Sequence, residues 1–305
     1  MSSNQAKGAA HHVTRAMFTV VEDMAVRVQA SEPLRSMYTL SPYVWRASDR
    51  FEMLLRAVNR DPNPLNKIAR VYHGRSTDGL TFDMDLEPDL KPGPGPDDRD
   101  GCEDPSVAID GDRLFVYYTG WNQRKKQGKL LLAIGGDPCH LHKSGVALES
   151  TATHANPKEA TIARCPDGTW VLLFEYAHQD RSRIGLARSA CVDGPWKVLG
   201  DPLVARDAGW DGWHLSPGPV MPYGSQVMMF YNGANHKAAW RIGWVVFDAT
   251  FSTVVARAAD PIIVPPPPVG DDTDIAFVSS AVAAPRGIWL YYSIADRNMK
   301  RATLQ

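Results

Sequence analysis

Cysteine is scarce: only Cys102, Cys139, Cys165 and Cys191 occur in a chain of 305 residues. None lies at Cys-x-x-Cys spacing, which argues against a disulfide framework or a cysteine zinc site. No excess of charge of either sign exists. The net charge is −1, so neither a nucleic acid nor a membrane is expected as a partner. Long hydrophobic runs are missing, and no segment reaches membrane-spanning length. The first ten residues are polar and lack the apolar core of a secretory leader. A reduced, cytoplasmic protein is therefore expected. Helical periodicity with capping residues is missing as well, although Arg15 to Ala30 reads equally as a short helix or as containing a strand.

The chain is instead rich in β-forming runs that repeat. Five times, about every sixty residues, a short apolar run opens just after a polar residue, turns, and returns as a denser apolar run. The openings are Ser41-Pro42-Tyr43, Asp104-Pro105-Ser106, Glu159-Ala160-Thr161, Ser216-Pro217-Gly218 and Phe277-Val278-Ser279. Turn formers follow, such as Asp110-Gly111-Asp112 and Pro166-Asp167-Gly168. Second runs come next at 51–56, 114–118, 170–174, 227–231 and 289–292. Third runs follow at 68–73, 130–134, 184–188, 242–247 and 299–304. Aromatic and β-branched residues between turn formers predict strands. A three-strand unit repeated five times predicts an all-β, five-bladed β-propeller rather than a sandwich. Residues 1–14 are expected to be a disordered tail and residues 15–305 a single propeller domain. The last unit ends at its third strand, and Met17 to Val21 is the candidate for covering that edge. Pro265 to Pro268 reads as a stiff extended connection within the last crossing between blades.

In a propeller, the start of each innermost strand and the end of the strand after it meet the same rim. That geometry gathers Ser41, Glu103, Asp104, Lys158, Glu159, His214, Ser216, Asp274 and Phe277 from the inner strands. It gathers Arg56, Trp121, Glu175, Asn232 and Asp296 from the second strands. This density of carboxylates and cations, with a histidine and aromatic rings, fits a polar small-molecule site. Facing carboxylates suit glycosidic chemistry, in which one carboxyl is protonated and another ionised. Asp104, Glu159 and Glu175 are the candidate catalytic residues. Arg56, Glu103, Trp121, Lys158, His214, Asn232, Asp274, Phe277 and Asp296 are the candidate substrate-binding residues. Each also has a structural reading: Glu159 as the partner of Lys158, Glu175 as an ion pair at a strand end, His214 as a satisfied core imidazole, Asp296 as a turn residue. No metal and no cofactor is expected.

The motifs resemble those of glycoside hydrolase family 130, the β-mannoside phosphorylases and β-mannosidases. Gly101-Cys102-Glu103-Asp104-Pro105 resembles its Gly-x-Glu-Asp-Pro-Arg element. Leu54-Leu55-Arg56, Ser76-Thr77-Asp78-Gly79, Tyr231-Asn232-Gly233, Phe247-Asp248, Pro261 to Pro265 and Tyr291 to Asp296 are similar to its other signatures, in order. The resemblance covers residues 40–304. It implies a five-bladed propeller acting on an oligosaccharide or glycoside, with Asp104 as general acid and Arg56 and Asp296 holding the terminal mannose. The chain departs from the pattern at Ser106, where the family has arginine. It departs again at Asn156-Pro157-Lys158-Glu159, where the family has Phe-Pro-Glu-Lys, at Ser41-Pro42, and at His214 to Pro219. A lost arginine and a gained glutamate argue against a phosphate cradle, because a dianion needs fixed cationic donors. An inverting hydrolase of short β-mannosides is expected. A phosphorylase releasing mannose 1-phosphate, with Lys158 and nearby basic residues on phosphate, is the alternative. A non-catalytic propeller binding sugar or protein is the alternative of another class.

Overall fold

The computed structural model describes residues 12–14 and 17–305. Nearly all regular structure is β, with three short 3-10 turns and no α-helix among the described residues. Five antiparallel units follow one another along the chain. Their inner strands are Tyr38–Arg46, Gly101–Asp110, Ala155–Arg164, His214–Tyr223 and Ala276–Ala284. Their second strands are Phe51–Val58, Arg113–Asn122, Trp170–His178, Gln226–Ala234 and Gly287–Ile294. The third strands are Ala69–Ser76, Gln127–Gly135, Arg181–Ser189, Trp240–Phe247 and Asn298–Leu304. Each inner strand packs on the next, and the fifth packs on the first, so the ring closes as a five-bladed propeller. A single parallel contact, Ala69 with Gly101, links the first two blades into one hydrogen-bonded network.

The dense apolar second strands have a physical cause. Successive side chains of a strand point to opposite faces, and here both faces are buried against a neighbouring blade. Leu172 and Phe174 pack towards Phe115 and Tyr117 of the second blade. Val171 and Leu173, one residue out of step, pack towards Met229 and Tyr231 of the fourth. The same alternation sends Met53 and Leu55 towards Tyr291 of the fifth blade and Leu54 towards Tyr118 of the second. The aromatic residues thus form the seams between blades.

The last blade takes its fourth strand from the other end of the chain. Val20–Ala25 runs antiparallel to Lys300–Leu304, three residues beyond the start of the expected Met17 to Val21 segment. Met17 and Phe18 instead pack on the seam between blades four and five, with the Phe18 ring 5.6 Å from Phe230. Of the expected tail, residues 1–11 lie outside the described residues, while His12–Thr14 run parallel to Val254–Ala258. Pro265 to Pro268 lie without regular structure between blades four and five.

Every inner strand carries an irregularity at the same level. The register slips between Leu40 and Pro42, Glu103 and Ser106, Lys158 and Thr161, Pro217 and Val220, and Val278 and Ser280. Bulges re-aim side chains and cluster beside active sites. In three blades the bulged residue has a left-handed backbone: Ser41 at φ 51°, Asp104 at 48° and Glu159 at 50°. Non-glycine residues there are strained, and such strain concentrates at functional sites. The fourth blade differs. Its bulge holds Gly218, where a Cβ would run into the Phe230 carbonyl and the Val278 side chain, so this blade offers no bulge side chain to the centre.

Candidate active site

The bulges open onto a cavity of about 400 Å³. All five blades line it. Ser41 and Arg56 come from the first, Glu103 and Asp104 from the second, and Lys158, Glu159 and Glu175 from the third. Trp240 comes from the fourth, and Phe277, Ser279, Ser293 and Asp296 from the fifth. Tyr38, Val58 and Lys67 extend the lining on the first-blade side.

Arg56 organises the second-blade acids. Its Nη1 lies 2.8 Å from Asp104 Oδ1 and its Nη2 2.9 Å from Glu103 Oε2. The Ser41 hydroxyl donates to the same Asp104 oxygen at 2.9 Å. Asp104 is only 4% exposed. Burial works to raise its pKa, but the charges of Arg56 and Lys158 and the two hydrogen bonds outweigh it and hold Asp104 below the ordinary carboxylate range. Glu175 is also tied down: Lys158 Nζ lies 3.3 Å from Oε1, and the Ser182 hydroxyl donates to that oxygen at 2.7 Å.

The remaining acids titrate the other way. Burial raises Glu159 well above the ordinary range. The neighbouring Asp104 and Glu175 charges add to this, and Lys158 and Arg56 only partly oppose it. Burial likewise raises Glu103, against Arg56, and Asp296, against Arg56 and Lys158. The cavity therefore holds one carboxylate stabilised as the anion beside others pushed towards the neutral acid. Separated environments of this kind are how two carboxyls take different roles.

Of the candidates from sequence, Arg56, Glu103, Asp104, Lys158, Glu159, Glu175, Phe277 and Asp296 all face this cavity. Four others do not line it. Trp121 donates its Nε1–H to Gln123 at 2.8 Å at the second-blade rim. Asp274 pairs with Arg241, at 2.9 Å to each guanidinium nitrogen. Asn232 is fully buried and ties blade four to blade five. It accepts from the Val278 N–H at 2.7 Å and donates to the Val278 carbonyl at 3.2 Å. His214 accepts the Ser182 N–H on Nδ1 at 3.0 Å and stacks on Trp240 at 5.6 Å; its pKa is lowered, first by burial. Trp240 in turn meets Phe277 edge-on at 5.4 Å. His214 thus backs an aromatic wall whose main member, Trp240, has no motif around it in the sequence. Tyr38, Lys67 and Ile275 were equally silent, whereas Ser293 lies inside the Tyr291 to Asp296 signature without having been singled out.

Away from the cavity, His73 lies between Glu52 and Asp85, at 2.5 and 2.9 Å. Its ring, Asp85 and Cys139 bring possible metal-ligand atoms within 4.8 Å of one another. Arg75 contacts both Asp85 and Cys139, so this cluster is closed by a guanidinium as an ion-pair network.

No protein-family model matches the chain, and no curated protein sequence matches it. Solved structures do. A β-1,2-mannobiose phosphorylase from Listeria innocua, in complex with β-1,2-mannobiose, superposes with a TM-score of 0.76 at 17% identity, covering 90% of this chain and 92% of that one. A structure described with the glycoside hydrolase family 130 enzymes that target β-1,2-mannosidic linkages in Candida mannan gives 0.74 at 19% identity, covering 87% and 84%. A mannose phosphorylase from Leishmania mexicana, bound to phosphate, gives 0.68 at 15% identity, covering 93% and 88%. The fold is that of glycoside hydrolase family 130. In this family fold the cavity of the present chain occupies the hub of the ring, where inner-strand bulges from separate blades converge.

Proposed function

We propose that the chain is a member of glycoside hydrolase family 130 that hydrolyses β-mannosidic bonds in short oligosaccharides. The observation that carries this reading is the charge inventory of one cavity. Glu103, Asp104, Glu159, Glu175 and Asp296 converge on it, and its two inner cations, Arg56 and Lys158, are both engaged by carboxylates. Glycoside hydrolysis needs one carboxyl as acid and one as base, and this cavity supplies carboxyls of both kinds. Phosphate is poorly accommodated there. A carboxylate about 4 Å from a unit negative charge repels it by about 4 kcal/mol at an effective dielectric of 20. Water needs a base to attack, whereas phosphate is already an anionic nucleophile. The named structural neighbours act on mannosides, and the aromatic wall of Trp240 and Phe277 gives a sugar ring a face to pack on.

One observation favours the phosphorolytic reading. Lys67 also lines the cavity, and its ammonium lies 6.0 Å over the Tyr38 ring rather than in an ion pair among the described residues. The deciding experiment offers β-1,2-mannobiose and other short β-mannosides to the purified protein, with and without inorganic phosphate. Free mannose at a rate that phosphate does not raise is expected. Strict phosphate dependence with mannose 1-phosphate as product moves the chain to the phosphorylases. Sugar binding without turnover moves it to the non-catalytic propellers.

A further inference from the structure

We propose that the mouth of the cavity selects a β-mannoside whose second sugar carries an anionic substituent, a carboxylate or a phosphate ester, and that Lys67 and Arg60 receive that charge beside the Tyr38 ring. The selection rests on the glycosidase reading above and concerns the same cavity.

The first blade sets the geometry. Leu40 lies opposite Arg56, and Tyr38 lies opposite Val58, two residues further towards the start of the inner strand. Two residues of strand rise about 7 Å, so Tyr38 stands one storey outside the level at which Arg56 meets Asp104. Arg60 follows Val58 by two residues. Lys67 precedes by two the Ala69 that pairs with Val58. All three side chains therefore gather at one end of this blade. Their exposure marks that end as the mouth: Lys67 and Arg60 are exposed and Tyr38 is half-buried, whereas Asp104 at the bulge level is buried. Tyr38 is also a shared wall. It lines the cavity on one side, and on the other a cleft of about 410 Å³ to which Arg60 contributes.

The cations at this mouth differ in how they are used. Arg35 and Arg297 line the cleft, but Glu32 and Asp272 neutralise them at 3.2 and 2.8 Å. Arg60 and Lys67 lie instead 4.7 and 6.0 Å from the centre of the Tyr38 ring, and neither meets a carboxylate among the described residues. The neighbouring acid, Asp61, is occupied in its own turn, where it accepts from the Asn63 N–H at 2.8 Å. A guanidinium against an aromatic face keeps N–H donors for an anion at its edge, and a lysine ammonium adds a mobile point charge.

The interior has the opposite character. Glu103, Asp104, Glu159, Glu175 and Asp296 outnumber Arg56 and Lys158 there. A substrate neutral at one end and anionic at the other is thus oriented by charge. Its neutral sugar enters the carboxyl-rich interior, and its anion stays outside with Lys67 and Arg60. The same separation by level makes Lys67 a better partner for a charge carried on the second sugar than for a free anion attacking at the bulge level.

The test uses three disaccharides, in which mannose is β-1,2-linked to glucose, to glucuronate or to glucose 6-phosphate. They differ only at one carbon of the second sugar. Exposed ion pairs are individually weak, so two of them are expected to lower KM for an acidic substrate on the order of five- to tenfold against the neutral one, with kcat little changed. The acidic substrate with the larger gain identifies the anion. The preference is expected to shrink as ionic strength rises, to vanish in the double variant Lys67→Met, Arg60→Gln, and to reverse in Lys67→Glu, which a merely structural lysine would not produce. Equal KM values for all three substrates in the wild type overturn the proposal. So does a preference that survives Lys67→Glu, or a Lys67→Met variant that loses dependence on inorganic phosphate while keeping its preference. If the wild type cleaves none of the three, the glycosidase reading fails, and calorimetric binding of the same disaccharides decides the selection by itself. Tighter binding of an acidic disaccharide that Lys67→Glu abolishes upholds it; equal binding or none overturns it.

Discussion

At the scale of single residues, Arg56 bears on every other group in the second-blade half of the cavity. One guanidinium satisfies two carboxylates on adjacent residues, at 2.9 and 2.8 Å, a geometry that a lysine ammonium does not reproduce. Arg56→Met leaves Glu103 and Asp104 buried without their counter-ion. Breaking a buried pair from one side typically costs about 3–5 kcal/mol. The pH dependence has a definite sign. Asp104 is held below its ordinary value in the folded state, so it contributes stability above that value, about 3.9. The contribution is lost as pH falls through the lower native pKa. The stability gap between wild type and Arg56→Met, measured by denaturant melts, is therefore expected to be widest near neutrality and to close in acid. A gap independent of pH would mean that Arg56 acts by packing alone. The acids and Arg56 were legible in the sequence because each sits at a repeated strand edge beside a motif. Trp240 and Lys67 were not, since they reach the cavity from a third strand and a connecting segment whose direction no local pattern encodes.

At the scale of elements, consecutive inner strands are stitched together by side chains bonding to neighbouring backbone. Tyr43 donates its hydroxyl to the Val107 carbonyl at 2.9 Å, and Thr161 to that of Gly218 at 2.9 Å. Ser280 donates to Pro42 at 2.8 Å and accepts from Val44 N–H at 2.9 Å. Asn232 does the same for blades four and five. Its Tyr-Asn-Gly context reads as a sugar-binding signature, but its partner strand lies 46 residues away and no short-range pattern reveals it. The strands themselves were legible, because a second strand buried on both faces is apolar throughout. Their starts were read late: the inner strands of the first three blades begin before the bulge, and a bulge breaks the alternation that marks a strand. Asn232→Ala leaves the Val278 N–H and carbonyl without their side-chain partner. Each unsatisfied buried group costs about 1–3 kcal/mol. A clear fall in thermal stability is expected, with KM for substrate little changed while the protein is folded. A variant of normal stability with a greatly raised KM would instead make Asn232 a ligand-binding residue.

At the scale of the whole molecule, the cavity exists only while the ring is closed. Every blade supplies part of its wall, so no subset of blades retains the charge inventory on which the proposed chemistry depends. Closure of the last blade rests on Val20–Ala25, which covers the edge of Asn298–Leu304. Thr19 and Gln305 exchange backbone bonds at 2.8 and 3.1 Å. Asp23 accepts from the buried Tyr292 hydroxyl at 2.8 Å and from Lys300 at 2.6 Å. Deleting residues 1–25 strips these partners away and bares a strand edge able to pair with other chains. The seams join blades in series, so loosening the fifth blade exposes apolar surface on the fourth and the first together. The shortened chain is expected to melt at a lower temperature than the full chain, to associate at high concentration, and to lose activity along the same curve as its β-sheet circular dichroism. Coincidence of the two curves is the informative part. Activity that disappears well below the structural transition would show that the cavity depends on a local element rather than on the ring. Unchanged melting after the deletion would mean that the fifth blade is held by its seams alone.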